Sequence, residues 1–259
     1  MYKLKNLYSG YKNKIILKNI TLEFSDLKGS LIALIGQNGG GKTTLLRVMS
    51  GLQKYSGSVL LNNREVKNYS RREFSKCVTF MMSTKNFNPV YPFTAREIIS
   101  MGRLPYKNLF GRLNADDEKI INHVSEMLNV KKFLERNILE LSDGERQLIF
   151  LASALVQNTD IIILDEPVSA LDPDKSARVF KILSELAHSG KIIIAAVHDL
   201  NIAAAYSDFY IALNNGELIS HGRTKNLNAD ILEKLYNAHF EKYFNNNNQD
   251  DVMWRVVPE

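Results

Sequence analysis

Nine consecutive residues, Gly36-Gln37-Asn38-Gly39-Gly40-Gly41-Lys42-Thr43-Thr44, contain the pattern G-x-x-x-x-G-K-[ST], and their types dictate what such a segment can hold. Glycines let backbone amides close around phosphate oxygens, a lysine brings a mobile cation to the β and γ phosphates, and the hydroxyl that follows can join the shell of a magnesium ion. The pattern carries meaning only between a strand and a helix, where the helix N-terminus adds the positive end of its dipole. Both flanks meet that demand: the apolar run Leu31 to Ile35 precedes it and a helical pattern extends from Lys42 to Gly51. Gly36, Asn38, Gly39, Gly40, Gly41, Lys42, Thr43 and Thr44 are therefore the expected nucleotide contacts, with Lys42 also serving the reaction and Thr43 the metal.

A second apolar run, Ile161 to Leu164, ends in Asp165-Glu166. Two adjacent carboxylates at a strand end suit in-line hydrolysis, since Asp165 can hold the magnesium shell while Glu166 orients or deprotonates the attacking water. Between the two motifs, Ser142-Asp143-Gly144-Glu145 has the Ser/Thr-x-x-Glu capping box, as does Thr94-Ala95-Arg96-Glu97. The box marks a helix start at each place, and the amides after Ser142 form a second helix N-terminus suited to an anion. A third apolar run, Ile192 to Val197, is followed directly by His198, a residue that can donate, accept and move a proton. His123, His188, His221 and His239 show no ligand spacing and read as surface or packing residues.

The elements that must position these residues follow from the same runs. Short continuous apolar stretches are what a parallel sheet covered on both faces requires. Each is followed by a helical pattern, at Lys42 to Gly51, Lys175 to His188 and Leu200 to Tyr206, which is βαβ order. The first residues hold two β-like runs, Leu4 to Tyr8 and Ile15 to Phe24, around breakers Gly10 and Asn13, so an initial antiparallel pair is expected. From Thr94 to Gln157 strand signals vanish in favour of helical ones, a helical insertion of about 60 residues. Asn214-Asn215-Gly216 between Phe209 to Leu213 and Glu217 to Ser220 signals a hairpin. The Asn-rich stretch Asn245 to Asn248 reads as a flexible connector, and Met253 to Val257 as a small strand returning to the body.

Composition restricts the class. With 259 residues, 45% hydrophobic and 24% charged, the chain can bury a real core, and disorder as its main state is excluded. The single cysteine, Cys77, cannot pair within the chain, which fits a reducing cytoplasm. The N-terminal residues lack the apolar segment of a secretory signal, and the longest apolar run has six residues where a membrane span needs about 20. The net charge of +5 is spread over scattered residues, with short pairs such as Arg71-Arg72 and Lys131-Lys132, and describes a solvated surface better than a nucleic-acid face.

With Leu141-Ser142-Asp143-Gly144-Glu145-Arg146-Gln147 in place, the chain resembles the ATP-binding-cassette family, whose signature reads LSGGQ. The likeness extends over about Met1 to Phe240 and implies an α/β fold: a phosphate-loop NTPase core with a mostly parallel sheet, an N-terminal antiparallel β subdomain and a helical subdomain inserted at about residues 90 to 157, before a connector and short segment at 241 to 259. It implies ATP and Mg2+ as cofactors. Two copies would face each other, so that Ser142 and Gly144 of one close on ATP held by the other. By the same resemblance Tyr11 falls where an aromatic ring stacks on adenine, Ser169-Ala170-Leu171-Asp172 is similar to the D-loop with Asp172 as its acid, and His198 matches the switch histidine at the γ-phosphate. Two departures stand out. The family glutamine after the strand Cys77 to Lys85 is missing: Ser83 or Lys85 occupies its place, with Ser83 able to reach a magnesium-bound water. The signature carries Asp143 for its first glycine and Glu145 for its glutamine, and acids near a phosphate are unfavourable unless they point away.

Thr94 to Arg112, with its Met-Gly-Arg-x-Pro and Phe-Gly-Arg strings, resembles the helical subdomain of importers of ferric chelates, haem and cobalamin. This implies an ATPase subunit peripheral to the cytoplasmic side of the cell membrane, working as a homodimer under a pair of permease subunits. It would depend indirectly on a solute-binding protein and have no nucleic-acid partner. Alternatives are a degenerate cassette that binds ATP but mainly gates or assembles a complex, and a soluble cassette ATPase outside transport.

Overall fold

Aliphatic runs too short for helices set the strands, and capped amphipathic segments between them set the helices. A computed structural model describes residues 2–12, 14–23, 27–84, 91–107, 111–245 and 248–257. In chain order its first elements are β1 (Tyr2–Tyr11), β2 (Lys14–Glu23), β3 (Ser30–Ile35), α1 (Lys42–Met49), β4 (Tyr55–Leu61), β5 (Arg64–Glu65), α2 (Arg71–Cys77) and β6 (Val78–Met81). There follow α3 (Ala95–Met101), α4 (Ala115–Met127), α5 (Asp143–Val156), β7 (Ile161–Asp165), α6 (Pro173–His188), β8 (Ile192–Ala196) and α7 (Leu200–Tyr206). The last are β9 (Phe209–Asn214), β10 (Glu217–Arg223), α8 (Ala229–Tyr236), β11 (His239–Asn245) and β12 (Asn248–Val257). These form two compact units, one of Met1–Tyr69 with Leu183–Glu259 and one of Ser70–Ile182, and α6 carries the chain from the second into the first.

In the first unit, β3 pairs in parallel with β8 on one side and β9 on the other, and β10 adds an antiparallel edge to β9. Every residue of β3 is buried, as a strand with neighbours on both edges and cover on both faces must be. Asn215 and Gly216 turn the chain between β9 and β10 with φ of +48° and +79°, the left-handed pair of a type I′ hairpin. The expected N-terminal pair is present as β1 and β2, but the sheet is wider, in the order β2-β1-β4-β5. Phe24, expected to end the second strand, lies outside the described residues. β11 and β12 make an antiparallel hairpin, so Asn245 and Asn248 belong to strands. Trp254 on β12 is buried, and its backbone N–H donates to Asn201 Oδ1 of α7 at 2.7 Å.

In the second unit, β6 and β7 pair in parallel from Val78↔Ile161 to Met81↔Leu164, while α3 and α4 pack on α5. Four helices open with reciprocal capping boxes: Ser70 with Glu73, Thr94 with Glu97, Asn114 with Asp117, and Ser142 with Glu145. Arg103, from the Met-Gly-Arg-x-Pro string, is buried. Its Nε donates to Asp117 Oδ1 at 2.9 Å and its Nη1 to the Val156 carbonyl at 2.8 Å. Lys107 pairs with the other oxygen of the same carboxylate. The string therefore fastens the end of α3 to the start of α4 and the end of α5. Among the described residues no helix is long and apolar enough to cross a membrane.

Candidate functional site

The glycine-rich loop runs from the end of β3 into α1. Gly36 has to be glycine on steric grounds, because a Cβ there would lie 2.0 Å from the Leu213 carbonyl oxygen. The loop is closed by Gly40 N–H donating to the Gln37 carbonyl at 3.1 Å, and the Gly40 carbonyl accepts from Gly216 N–H at 3.0 Å. Lys42 is buried, and its Nζ donates to the Gly36 and Gln37 carbonyls at 2.7 and 3.0 Å. Gly41 caps α1 with φ of +104° and no side-chain hydrogen bond, so the cap supplies no side-chain acceptor to the first-turn amides, the groups that suit an anion. Thr43 and Thr44 stand in this first turn, the former half-buried and the latter buried, while Asn38 and Gly39 at the crown are exposed. Behind the loop, burial pushes the Tyr236 phenol of α8 up to about 12, against the pull of the Gly36 backbone.

Two further expected residues belong to this unit. Tyr11 ends β1, is exposed, and its phenol oxygen accepts from Arg47 Nη1 of α1 at 3.2 Å. His198 lies two residues past the end of β8 and is exposed. The strand register continues to it through Val197 N–H, which donates to the Leu34 carbonyl at 3.0 Å. Asp199 then caps α7, accepting from Asn201 and Ile202 amides at 2.8 and 3.2 Å. The glycine-rich loop and His198 thus sit at the carboxyl ends of neighbouring parallel strands, where open α/β sheets bind ligands.

The second unit holds the carboxylates. Asp165 is the buried last residue of β7. Glu166 has φ of +54°, a left-handed conformation that costs an L-residue roughly 1–3 kcal/mol and collects at functional sites. Its Oε2 is buried. The Glu166 carbonyl accepts from Gln147 Nε2 at 2.8 Å, a contact the sequence reading did not assign; its only signal was an amide inside the apolar run of α5.

The signature segment is engaged with itself. Ser142 Oγ donates to Glu145 Oε2 at 2.9 Å and accepts from Glu145 N–H at 3.3 Å. The Ser142 backbone amide and hydroxyl hold the Glu145 carboxyl below its usual range against the effect of burial. Asp143 forms an ion pair with Arg146, whose Nη1 also donates to the Leu141 carbonyl at 2.7 Å. Asp143's charge is thereby balanced within α5. Asp172 is exposed and bound to Lys175 at 2.9 Å. Ser142, Gly144 and Asp172 share the wall of a cavity of about 470 Å³ with Lys132, Phe133 and Arg178.

Ser83 lies two residues past the end of β6, which stops at Met81, short of the strand the sequence suggested. It lines a groove of about 320 Å³ with Met101, Phe150 and Gln157. Lys85 lies outside the described residues. The donor set fits a magnesium ion that arrives with a nucleotide: one hydroxyl and one carboxylate are enough when phosphates supply further oxygens. The first unit offers the Thr43 hydroxyl for such a set and the second unit the Asp165 carboxylate.

Residues 17–169 match the ABC transporter family model, more than half of the chain. The chain belongs to the ABC transporter family. Its cassette is 34% identical over 232 residues to an iron(3+)-hydroxamate import ATP-binding protein of Bacillus subtilis, covering 88% of this chain and 84% of the relative. It is 32% identical over 235 residues to a ferric enterobactin transport ATP-binding protein of Escherichia coli, covering 90% and 85%. Among solved structures, the cassette superposes on a metal-chelate type ABC transporter in an inward-facing conformation with a TM-score of 0.81 and 25% identity, covering 100% of this chain and 96% of that one. An ATP-binding cassette solved as a dimer with ADP and phosphate matches at 0.75 and 27%, covering 88% and 100%.

Proposed function

We propose that this cassette is the ATP-hydrolysing subunit of an importer for an iron chelate, haem or cobalamin, with ferric chelates favoured by what the Bacillus and Escherichia relatives are named for. The observation that carries the reading is Glu166: an L-residue held in a left-handed conformation immediately after the buried Asp165. That is strain stored where a hydrolase needs a fixed base. In this reading the glycine-rich loop and Lys42 bind the phosphates of ATP, Tyr11 takes the adenine, and Thr43 and Asp165 hold magnesium with help from Ser83. Glu166 orients the attacking water and His198 contacts the γ-phosphate.

Met1 to Phe240 would form the ATPase domain, and the partners are a second copy and a pair of permease subunits at the cytoplasmic face of the membrane. Ser142 and Gly144 of one copy close on ATP held by the other, with Asp172 relaying between the two sites. The Asp143–Arg146 pair supports this, because it balances the acid that would otherwise repel phosphate.

The test is ATP turnover by the full chain, alone and with its permease in lipid vesicles, beside Glu166→Gln. Turnover stimulated by the permease, and cut in the variant to a slow residual rate measurable only in a single turnover, is the expected result, together with an ATP-bound dimer of the variant in light scattering. Binding of ATP without turnover in either preparation would refute hydrolysis and leave a gating or assembly role.

A further inference from the structure

Gln147 takes no part in the chemistry assigned above, yet its side chain is fully buried beside Glu166. Its amide is used on three sides. Nε2 donates to the Glu166 carbonyl at 2.8 Å and to Ser169 Oγ at 3.2 Å, and Oε1 accepts from Ala170 N–H at 2.7 Å. A primary amide has two donors and two acceptor positions, so three of four are spent on residues 166 to 170. One side chain of α5 thus grips both ends of the turn that follows β7.

That turn contains the strained residue, and a non-glycine left-handed conformation persists only where its surroundings over-determine it. The Glu166 carbonyl otherwise accepts a long bond, 3.4 Å, from Ser169 N–H. The Gln147 bond is the shorter of the two. α5 presses on the same turn one helical turn earlier: a Cβ at Gly144 would come within 2.8 Å of the Ala170 carbonyl oxygen. Helix and turn therefore meet at two points, and Ser142, the cap of this helix, lies just beyond them.

We infer that Gln147 is a positioning residue that fixes the backbone of Glu166 to the Ser142 end of α5, so that the carboxylate is aimed only while this helix keeps its place. Glu166 meets the water; Gln147 acts through Glu166. A phosphate captured at Ser142 would be felt at the base through one side chain, without a longer chain of contacts. This rests on the reading of Glu166 as the hydrolytic base.

The test compares Gln147→Glu and Gln147→Met in the full chain. An ionised glutamate has the shape of glutamine and still accepts from Ala170, but it donates to nothing and sets a charge against the Glu166 carbonyl; methionine keeps the volume and loses every hydrogen bond. Both are expected to lower kcat about 10- to 100-fold, the scale of an ångström-level misplacement of a reacting group, with KM and affinity for a fluorescent ATP analogue unchanged. In a Glu166→Gln background neither should slow single-turnover hydrolysis further, because the group they misplace is already gone. A merely structural residue would slow both backgrounds by the same factor.

An unchanged kcat, or an equal loss in both backgrounds, overturns the inference. If Gln147→Glu fails to fold because it buries a charge, Gln147→Met carries the same comparison. A wild type without turnover overturns the hydrolytic reading and this inference together; a wild type that turns over, with Gln147→Met unimpaired, overturns the inference alone.

Discussion

Asp117→Asn removes the single anion from a cluster that also holds Arg103 and Lys107, and the structure sets the size of the effect. Asp117 is 2% exposed and Arg103 8%. Burial by itself would push the Asp117 carboxyl up, but the Asn114 amide, Lys107 and Arg103 overcome it and bring the group from 3.8 down to about 2. At about 1.36 kcal/mol per unit, the gap from 3.8 to 2 corresponds to roughly 2.5 kcal/mol in favour of the folded, ionised state. Because the folded value is the lower one, this stabilisation is complete above pH 3.8 and lost as pH falls through 2; at pH 3 roughly half of it is left. The asparagine variant also leaves the buried Arg103 and the half-buried Lys107 without their carboxylate, which brings the expected loss at pH 7 to about 3 kcal/mol. For a chain of this size that is roughly 6–12 °C in Tm. Thermal unfolding followed by circular dichroism at pH 7 and pH 3 measures both the gap and its narrowing. A gap below about 2 °C at pH 7, or one that does not shrink at pH 3, would show that the cluster does not fasten α3, α4 and α5 as described.

Gly36→Ala places a Cβ 2.0 Å from the Leu213 carbonyl oxygen; binding of a fluorescent ATP analogue should be lost, and retained binding would refute the close approach. Arg146→Ala removes the partner of Asp143 and should weaken ATP-driven dimerisation in light scattering at most about fivefold, the upper end of the range for an ion pair of this exposure. Adding Asp143→Gly should restore it, and failure of that rescue would remove the charge-balancing role. Asn201→Ala deletes the acceptor for the Trp254 backbone amide and should cost about 1 kcal/mol. Trp254 is the only tryptophan, so its emission should report the hairpin loosening at a lower denaturant concentration than in the wild type.

Local signals were the legible ones. The glycine-rich loop, the two expected capping boxes and the Asn-Asn-Gly turn each depend on residues within a few positions of one another, and each was found where its residue types placed it. The box at Asn114 escaped notice because Asn-x-x-Asp departs from the usual Ser/Thr and Glu; the one at Ser70 has the usual residues and was legible, since α2 and α3 are both seven residues long. What could not be read was pairing at a distance. Arg103 looked like part of a family string, and only the fold brings it to Asp117 and Val156. Gln147 looked like a stray polar residue because its partners lie 19 to 23 positions further on. β4 was missed because its exposed and buried residues alternate weakly, and it owes its place in the N-terminal sheet to pairing with β1.

The hairpin between β9 and β10 bears on how the chain is made. The loop at Gly36 fits under Leu213, and Gly216 joins it to β2 by donating to the Gly40 carbonyl and accepting from Lys18 N–H at 2.8 Å. From Gly36 to Gly216 is 216 minus 36, or 180 residues. At about 5–20 residues per second a ribosome needs about 9–36 s to cross that interval. For most of it β3, apolar from Leu31 to Ile35, waits for its parallel neighbours β8 and β9, which are made only from Ile192 and Phe209 onward. Such a nascent chain is a natural client for holding chaperones, and a chain stalled before Phe209 carries the complete Gly36 to Thr44 motif without the carbonyl that shapes it.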